Sequence, residues 1–258
     1  MYVGKYAIEK ANQPAIIMAE TGELLTYAEF DQRTNQVAHL LRSEGLNRLA
    51  HYALFMENAL PYAEICGGGE RSGLYYTCIN SYLTADELAY ILNNSESEVV
   101  FTSAAKLPIV TAALAQCPNV RRCYIIDGDA PGDQYCHYAD AIADLPSTPI
   151  SDEFLGTSML YSSGTTGQPK GIIRPLPESK PDELLPIYNF LLGLWQYRED
   201  MIYLSPAPLY HSARQAAVGL TLRAGGTVVI MTRFDAERYL DYLPQYQVTH
   251  SQLVPTMF

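Results

Sequence analysis

The residues best placed to do chemistry lie in one stretch, Tyr161-Ser162-Ser163-Gly164-Thr165-Thr166-Gly167-Gln168-Pro169-Lys170-Gly171, which packs four Ser/Thr hydroxyls, three glycines and one lysine between two apolar runs. Such a composition reads as an exposed loop joining two strands. Glycines let successive main-chain N–H groups turn toward one point, hydroxyls add donors, and Lys170 adds a full positive charge. Together they can replace the hydration of a polyphosphate. Pro169 stiffens the approach to the lysine. A Gly/Ser/Thr loop can equally be a plain turn, and the residue chemistry alone leaves both readings open. The stretch is not a Walker loop, because Gly164 and Gly167 are three apart and Gly171 follows Lys170. Neither a G-x-G-x-x-G fingerprint nor a G-x-S-x-G elbow occurs, which argues against dinucleotide binding and serine hydrolysis.

Other polar residues say less when read alone. His211, in the run PLYH, suits a strand end or a satisfied core position, and Arg233 suits a solvated arginine closing a strand. The cysteines at 66, 78, 117, 123 and 136 are odd in number and form no C-x-x-C pair, so they read as reduced thiols. Cys136 and His137 are adjacent but lack a second ligand pair, and no metal site is expected.

The elements around the loop follow from pattern. A short apolar run predicts a strand over 15–18, and the capping box of Thr26 with Glu29 opens a helix from about 27 to 43 that Gly45 ends. Strands are predicted at 51–56, 74–79, 99–102 and 123–127, and helices at 62–71, 85–92 (after the Thr84/Glu87 box) and 107–115. Gly67-Gly68-Gly69 sits badly in the first of these helices, 62–71, since each glycine costs about 0.5–1 kcal/mol relative to alanine. A Pro/Gly/Asp/Ser-rich connection over 129–151 holds one short helix at 138–143. Beyond it come strands at 157–161 and 171–173, a helix over 182–197, and strands at 201–204 and 227–231. Strands alternating with helix-length segments specify an α/β fold with parallel βαβ units.

Length and charge bound the rest. The 258 residues, 48% hydrophobic and 17% charged, make one large or two modest folded domains. A net charge of −11 and the lack of a basic patch exclude nucleic acid as a partner. The longest apolar stretch, around 184–195, is broken by Pro186, Tyr188 and Asn189 and falls short of the ~20 residues a membrane span needs. Charges in MYVGKYAIEK occupy the place of a secretory core, so a cytoplasmic location is expected.

The stretch YSSGTTGQPKG resembles the phosphate-loop signature of the adenylate-forming superfamily, which includes acyl-CoA synthetases, coumarate-CoA ligases, firefly luciferase and peptide-synthetase adenylation domains. LTYAEF at 25–30, ERSGLYYTCINSYLTADELAYIL at 70–92, PLYHSA at 208–213 and VTHSQLVPTMF at 248–258 match in the same order. The runs ERSGLYYTCIN and GIIRPLP are most similar to bacterial fatty-acyl, or long-chain, synthetases.

The resemblance implies a three-layer α/β amino-terminal domain of two interlocked subdomains, the first about 1–45 plus 195–258, the second about 46–194 with the phosphate loop at 161–171. It implies that a carboxylic acid attacks Mg-ATP to give acyl-adenylate, and that the thiol of CoA then displaces AMP. ATP, Mg2+ and CoA are thus the expected cofactors. Ser162, Ser163, Gly164, Thr165, Thr166, Gly167 and Lys170 fall at the ATP-phosphate positions. His211 matches a histidine close to the acyl and nucleotide sites, and Arg233 a basic position that contacts CoA in the coumarate ligases. Ala213 stands where those ligases carry a tyrosine, which speaks against a hydroxycinnamate substrate, and CGGGE departs from the bulkier residues usual at that place. The family's adenine-binding segments, magnesium-binding acid and lid follow the VPT segment. On that comparison the chain is expected to be the front part of a synthetase, inactive alone and prone to associate through exposed surface. Competing expectations are a non-catalytic nucleotide-binding module and an adenylation domain serving a carrier protein.

Overall fold

The computed structural model describes residues 1–162 and 169–257. In chain order its principal elements begin with α1 (Gly4–Glu9), β1 (Pro14–Met18), β2 (Leu24–Thr26), α2 (Tyr27–Ser43), β3 (His51–Phe55), α3 (Leu60–Arg71), β4 (Tyr75–Cys78), α4 (Ala85–Asn94) and β5 (Val99–Thr102). They continue with α5 (Leu107–Leu114), β6 (Arg122–Ile125), β7 (Tyr135–His137), α6 (Tyr138–Ala143), β8 (Thr157–Ser162) and β9 (Lys170–Ile172). The last are α7 (Pro186–Leu194), β10 (Ile202–Ser205), α8 (Ser212–Ala224), β11 (Thr227–Ile230), α9 (Ala236–Gln245) and β12 (His250–Ser251).

The chain divides into two compact units, one of residues 1–34, 58–67 and 181–258, the other of 35–57 and 68–180. The first unit carries a five-stranded sheet in the order β12-β10-β11-β1-β2, parallel except for the β1–β2 hairpin. One face of this sheet, through Leu204, Val229 and Met231, packs on Tyr239, Tyr242 and Leu243 of α9. The second unit carries a seven-stranded sheet, β7-β6-β5-β3-β4-β8-β9, parallel except for β8–β9. Ala53, Phe55, Val100 and Cys123 from its strands bury against Leu88 and Leu92 of α4 and Val110 and Leu114 of α5. The domain boundaries expected from sequence were 45/46 and 194/195; in the structure α2 and α3 each contribute to both units.

Both capping boxes form. Thr84 accepts from the Glu87 N–H while the Glu87 carboxylate accepts from the Thr84 N–H at 2.9 Å, and Glu29 accepts from the Thr26 N–H at 2.8 Å. The glycine run has a packing cause. A β-carbon on Gly67 would lie 2.6 Å from Thr34 Cγ2, one on Gly68 would collide with Val37, and one on Gly69 with the Tyr52 ring. Glycine there lets α3 lie against α2 and β3.

Other expectations are corrected. The helix expected over 182–197 is confined to Pro186–Leu194, because Pro186 lacks an N–H and suits a first turn. Sequence patterning missed α8, in which Arg214, Gln215 and Thr221 are buried with the apolar residues, so no polar face marks the period. It also missed α1, α9 and the short strands β2, β7 and β12.

Candidate functional site

In the second unit, β8 and β9 form an antiparallel stem in which Leu160 faces Ile172, Tyr161 faces Gly171 and Ser162 faces Lys170. Ser162 and Lys170 therefore stand opposite one another as the last paired residues before the intervening segment. Both are exposed, and the Lys170 ammonium has no carboxylate within 4.0 Å among the described residues. Ser163, Gly164, Thr165, Thr166 and Gly167, expected at the same site, lie outside the described residues.

The stem is held from one side by α4. Tyr90 donates its hydroxyl hydrogen to the Pro169 carbonyl at 3.1 Å, and Tyr161 donates to Asn94 Oδ1 at 2.7 Å. Burial pushes the Tyr161 phenol well above its ordinary pKa, which keeps it a donor. Tyr75 on β4 donates to the Arg174 carbonyl at 2.7 Å, beyond β9. A side chain at Gly171 would meet Met159 Cε at 2.5 Å and the Tyr161 ring at 3.1 Å, so the small residue lets Tyr161 fold across the stem.

In the first unit, His211 is the extended residue before α8, with φ −76° and ψ 125°. Its carbonyl accepts from the N–H groups of Arg214 and Gln215 at 2.9 and 3.2 Å, while its imidazole does not cap the helix. The exposed ring leans on Tyr210, with centroids 4.4 Å apart. Partial desolvation, then the Arg214 guanidinium, lower its pKa, so the imidazole is neutral at neutral pH.

Asn58 fixes the segment leading to His211. Its amide donates to the carbonyls of Met231 at 2.8 Å and Ala207 at 3.2 Å, and its oxygen accepts from the Leu209 N–H at 2.8 Å. Arg233 is exposed in the turn after β11, where the Glu20 carboxylate receives the Thr232 N–H at 3.0 Å. Ala213 is exposed on the first turn of α8. Tyr90, Asn94 and Asn58 carried no signal in the sequence, because their function lies in contacts with segments 79, 67 and 149 or more residues away. Among the described residues no cluster of three or more His, Cys, Asp or Glu could hold a metal. None of the five cysteines, all among the described residues, is in a disulfide, and burial pushes the Cys123 thiol up to about 12.

A strand hairpin presenting an exposed lysine, and a strand-to-helix corner presenting a neutral histidine, suit handling of a phosphorylated nucleotide and an acid. Comparison with known proteins agrees in class. The AMP-binding enzyme family matches residues 5–258, and the chain belongs to that family. Over 241 residues it is 30% identical to the 4-hydroxybenzoate--CoA/benzoate--CoA ligase of Rhodopseudomonas palustris, covering 91% of this chain and 43% of that protein. It is 27% identical over 248 residues to the long-chain-fatty-acid--CoA ligase FadD13 of Mycobacterium tuberculosis, covering 94% of this chain and 47% of that one. ATP-bound MatB from Rhodopseudomonas palustris superposes on 100% of this chain and 50% of its own, with a TM-score of 0.77 and 25% identity. The chain thus spans about half the length of the relatives it matches.

Proposed function

We propose that the protein activates a carboxylic acid with ATP and transfers the acyl group to CoA. In the first step a carboxylate oxygen bonds to the α-phosphorus of ATP as the bond to pyrophosphate breaks. In the second the CoA sulfur bonds to the acyl carbon, and AMP leaves with the electron pair of the broken C–O bond. A carboxylate cannot expel oxide, whereas AMP is a stable anion. The protein's task in the first step is to stabilise charge moving onto the pyrophosphate, which preorganised donors and cations do.

The observation that supports this reading is the β8–β9 stem, which pairs the exposed Lys170 with the exposed Ser162 at the ends of the Gly/Thr segment. In the proposed roles Lys170, Ser162, Ser163, Thr165, Thr166 and the amides of Gly164 and Gly167 hold the ATP phosphates. Neutral His211 hydrogen-bonds the reacting groups, and Arg233 meets CoA. Mg2+ enters as the counter-ion of the ATP phosphates. A hydrocarbon-chain acid is favoured by the stretches ERSGLYYTCIN and GIIRPLP and by the likeness to a long-chain ligase. No helix among the described residues is long and apolar enough to cross a membrane.

ATP–pyrophosphate exchange by the whole protein with a panel of fatty and aryl acids tests this. Acid-dependent exchange is expected, with Lys170→Ala lowering it by about 10²–10³-fold, the usual size for removing one preorganised charge-stabilising group. Exchange insensitive to Lys170→Ala, or ATP binding without exchange for any acid, would overturn the reading.

A further inference from the structure

In the first unit the end of α7 and the strands β10 and β12 border an open cavity of about 310 Å3, lined by Leu194, Trp195, Tyr197, Tyr203, Ser251 and Gln252 among others. Its mouth is apolar, with Leu194 and Trp195 exposed by 61% and 42%. Its base is polar. Tyr203 is only 1% exposed, yet among the described residues its hydroxyl makes no hydrogen bond of good geometry, and the buried Gln252 Oε1 makes none either. The Gln252 N–H acts on the phenol without the geometry of a hydrogen bond. Ser251 donates to the Leu204 carbonyl at 2.8 Å, and His250 Nδ1 is engaged by Thr249 at 2.8 Å.

An unmade hydrogen bond on a buried polar atom costs about 1–3 kcal/mol, and native proteins keep few such atoms. Two in one cavity, beneath an apolar mouth, define a ligand with a hydrocarbon body and a polar tip. The two atoms also specify the tip. Gln252 Oε1 only accepts, while the Tyr203 hydroxyl both donates and accepts. A hydroxyl, donating to Gln252 and accepting from Tyr203, meets both; a carboxylate would set its charge against the amide oxygen. Tyr203 lies on β10, from whose end residues 206–210 run directly to His211, and Arg214, 4% exposed on the first turn of α8, acts electrostatically on both Tyr203 and His211.

We propose that this cavity receives the end of the acid remote from its carboxylate, and that this end carries a hydroxyl held between Tyr203 and Gln252. The substrate is then a hydroxylated hydrocarbon-chain acid. Its standing as a substrate rests on the acid-activation reading above; its binding does not.

Calorimetric titration of the chain with ω-hydroxydecanoate, ω-hydroxydodecanoate and ω-hydroxyhexadecanoate, each against its unsubstituted parent, tests the proposal. At least one hydroxy acid is expected to bind about tenfold more tightly than its parent, the worth of one to two well-made hydrogen bonds. Tyr203→Phe and, separately, Gln252→Leu should bring that ratio toward one. Equal binding of every pair, no binding of any, or a ratio that neither substitution lowers would overturn it. ATP–pyrophosphate exchange by the whole protein with the same pairs separates the two claims. A binding preference without exchange keeps the cavity assignment and removes the acid-activation reading, whereas exchange without preference does the reverse.

Discussion

The Tyr90 hydroxyl donates to the Pro169 carbonyl across 3.1 Å, and one helical turn further along α4 Asn94 receives the Tyr161 hydroxyl at 2.7 Å. One face of a single helix thus grips the strand entering the Gly/Thr segment and the residue leaving it. α4 is fixed in turn by its capping box and by burial of Leu88 and Leu92. α4 therefore holds both flanks of the segment, at Tyr161 and at Pro169.

Removing one grip should loosen nucleotide binding without removing a group that touches the phosphates. Tyr90→Phe, which deletes a single neutral hydrogen bond worth about 1 kcal/mol, is expected to raise KM for ATP about fivefold and to change kcat by less than twofold. Asn94→Ala should act in the same direction, and the double variant should fall short of the product, because both act on one stem. The ATP dependence of pyrophosphate exchange measures this. A fall in kcat at constant KM would assign Tyr90 to chemistry instead of positioning.

Asn58 is 6% exposed, and its three hydrogen bonds tie Ala207 and Leu209, just before His211, to Met231 at the end of β11. Asn58→Ala leaves two buried carbonyls and one N–H without partners, and destabilisation of about 2–3 kcal/mol is expected. For a chain of this size that is a fall in Tm of roughly 5–10 °C. Thermal unfolding followed by circular dichroism checks it, and a shift under 2 °C would show that the corner is held by other contacts.

Local chemistry made parts of this molecule legible in advance. Thr26/Glu29 and Thr84/Glu87 are self-contained caps, so α2 and α4 could be placed from a few residues each. The apolar runs at 51–56 and 99–102 are buried on both faces of a parallel sheet, as their continuous pattern requires. What could not be read depends on partners distant in sequence. The burial of Arg214 and Gln215 on α8 and the work of Tyr90 exist only after folding. Gly67-Gly68-Gly69 looked like a weak helix until α2 and β3 came to lie against it. For the candidate site, the sequence located the hairpin that bears Lys170, whereas the side chains that hold this hairpin in place emerged only from the structure.

The glycine run yields a prediction of sign as well as size. An added methyl at Gly68 collides with Val37, and relief would need α2 and α3 to separate, so Gly68→Ala should destabilise by about 1–3 kcal/mol. Gly193, in α7, has nothing within 4 Å of an added β-carbon. Gly193→Ala should therefore stabilise by about 0.5–1 kcal/mol through helix propensity. Urea unfolding of the two variants beside the parent chain tests both, and equal effects would mean that propensity, not the close approach, governs Gly68.

His51 should impose a pH dependence on stability. It begins β3, stacks on Tyr75 with ring centroids 4.8 Å apart, and keeps Nδ1 buried without a partner among the described residues. Burial lowers its pKa, and the carboxylates of Glu96 and Glu98, which line the same concavity with Asn93 and Asn119, oppose that shift without cancelling it. The folded pKa thus lies below the unfolded value of about 6.5. Between those two values the unfolded chain binds more protons, so stability rises with pH. It is full above the unfolded pKa, declines as pH falls through the window, and levels off below the folded pKa. His211 adds a slope of the same sign. The lowered carboxylates of Glu29 and Glu87 act only in the more acidic range near and below their unfolded pKa. Urea midpoints measured from pH 7.5 to 5 should therefore fall less steeply for His51→Gln than for the parent. Glu96→Gln, which removes an attraction for the imidazolium, should steepen the fall. An unchanged slope in His51→Gln would place the proton uptake on another group.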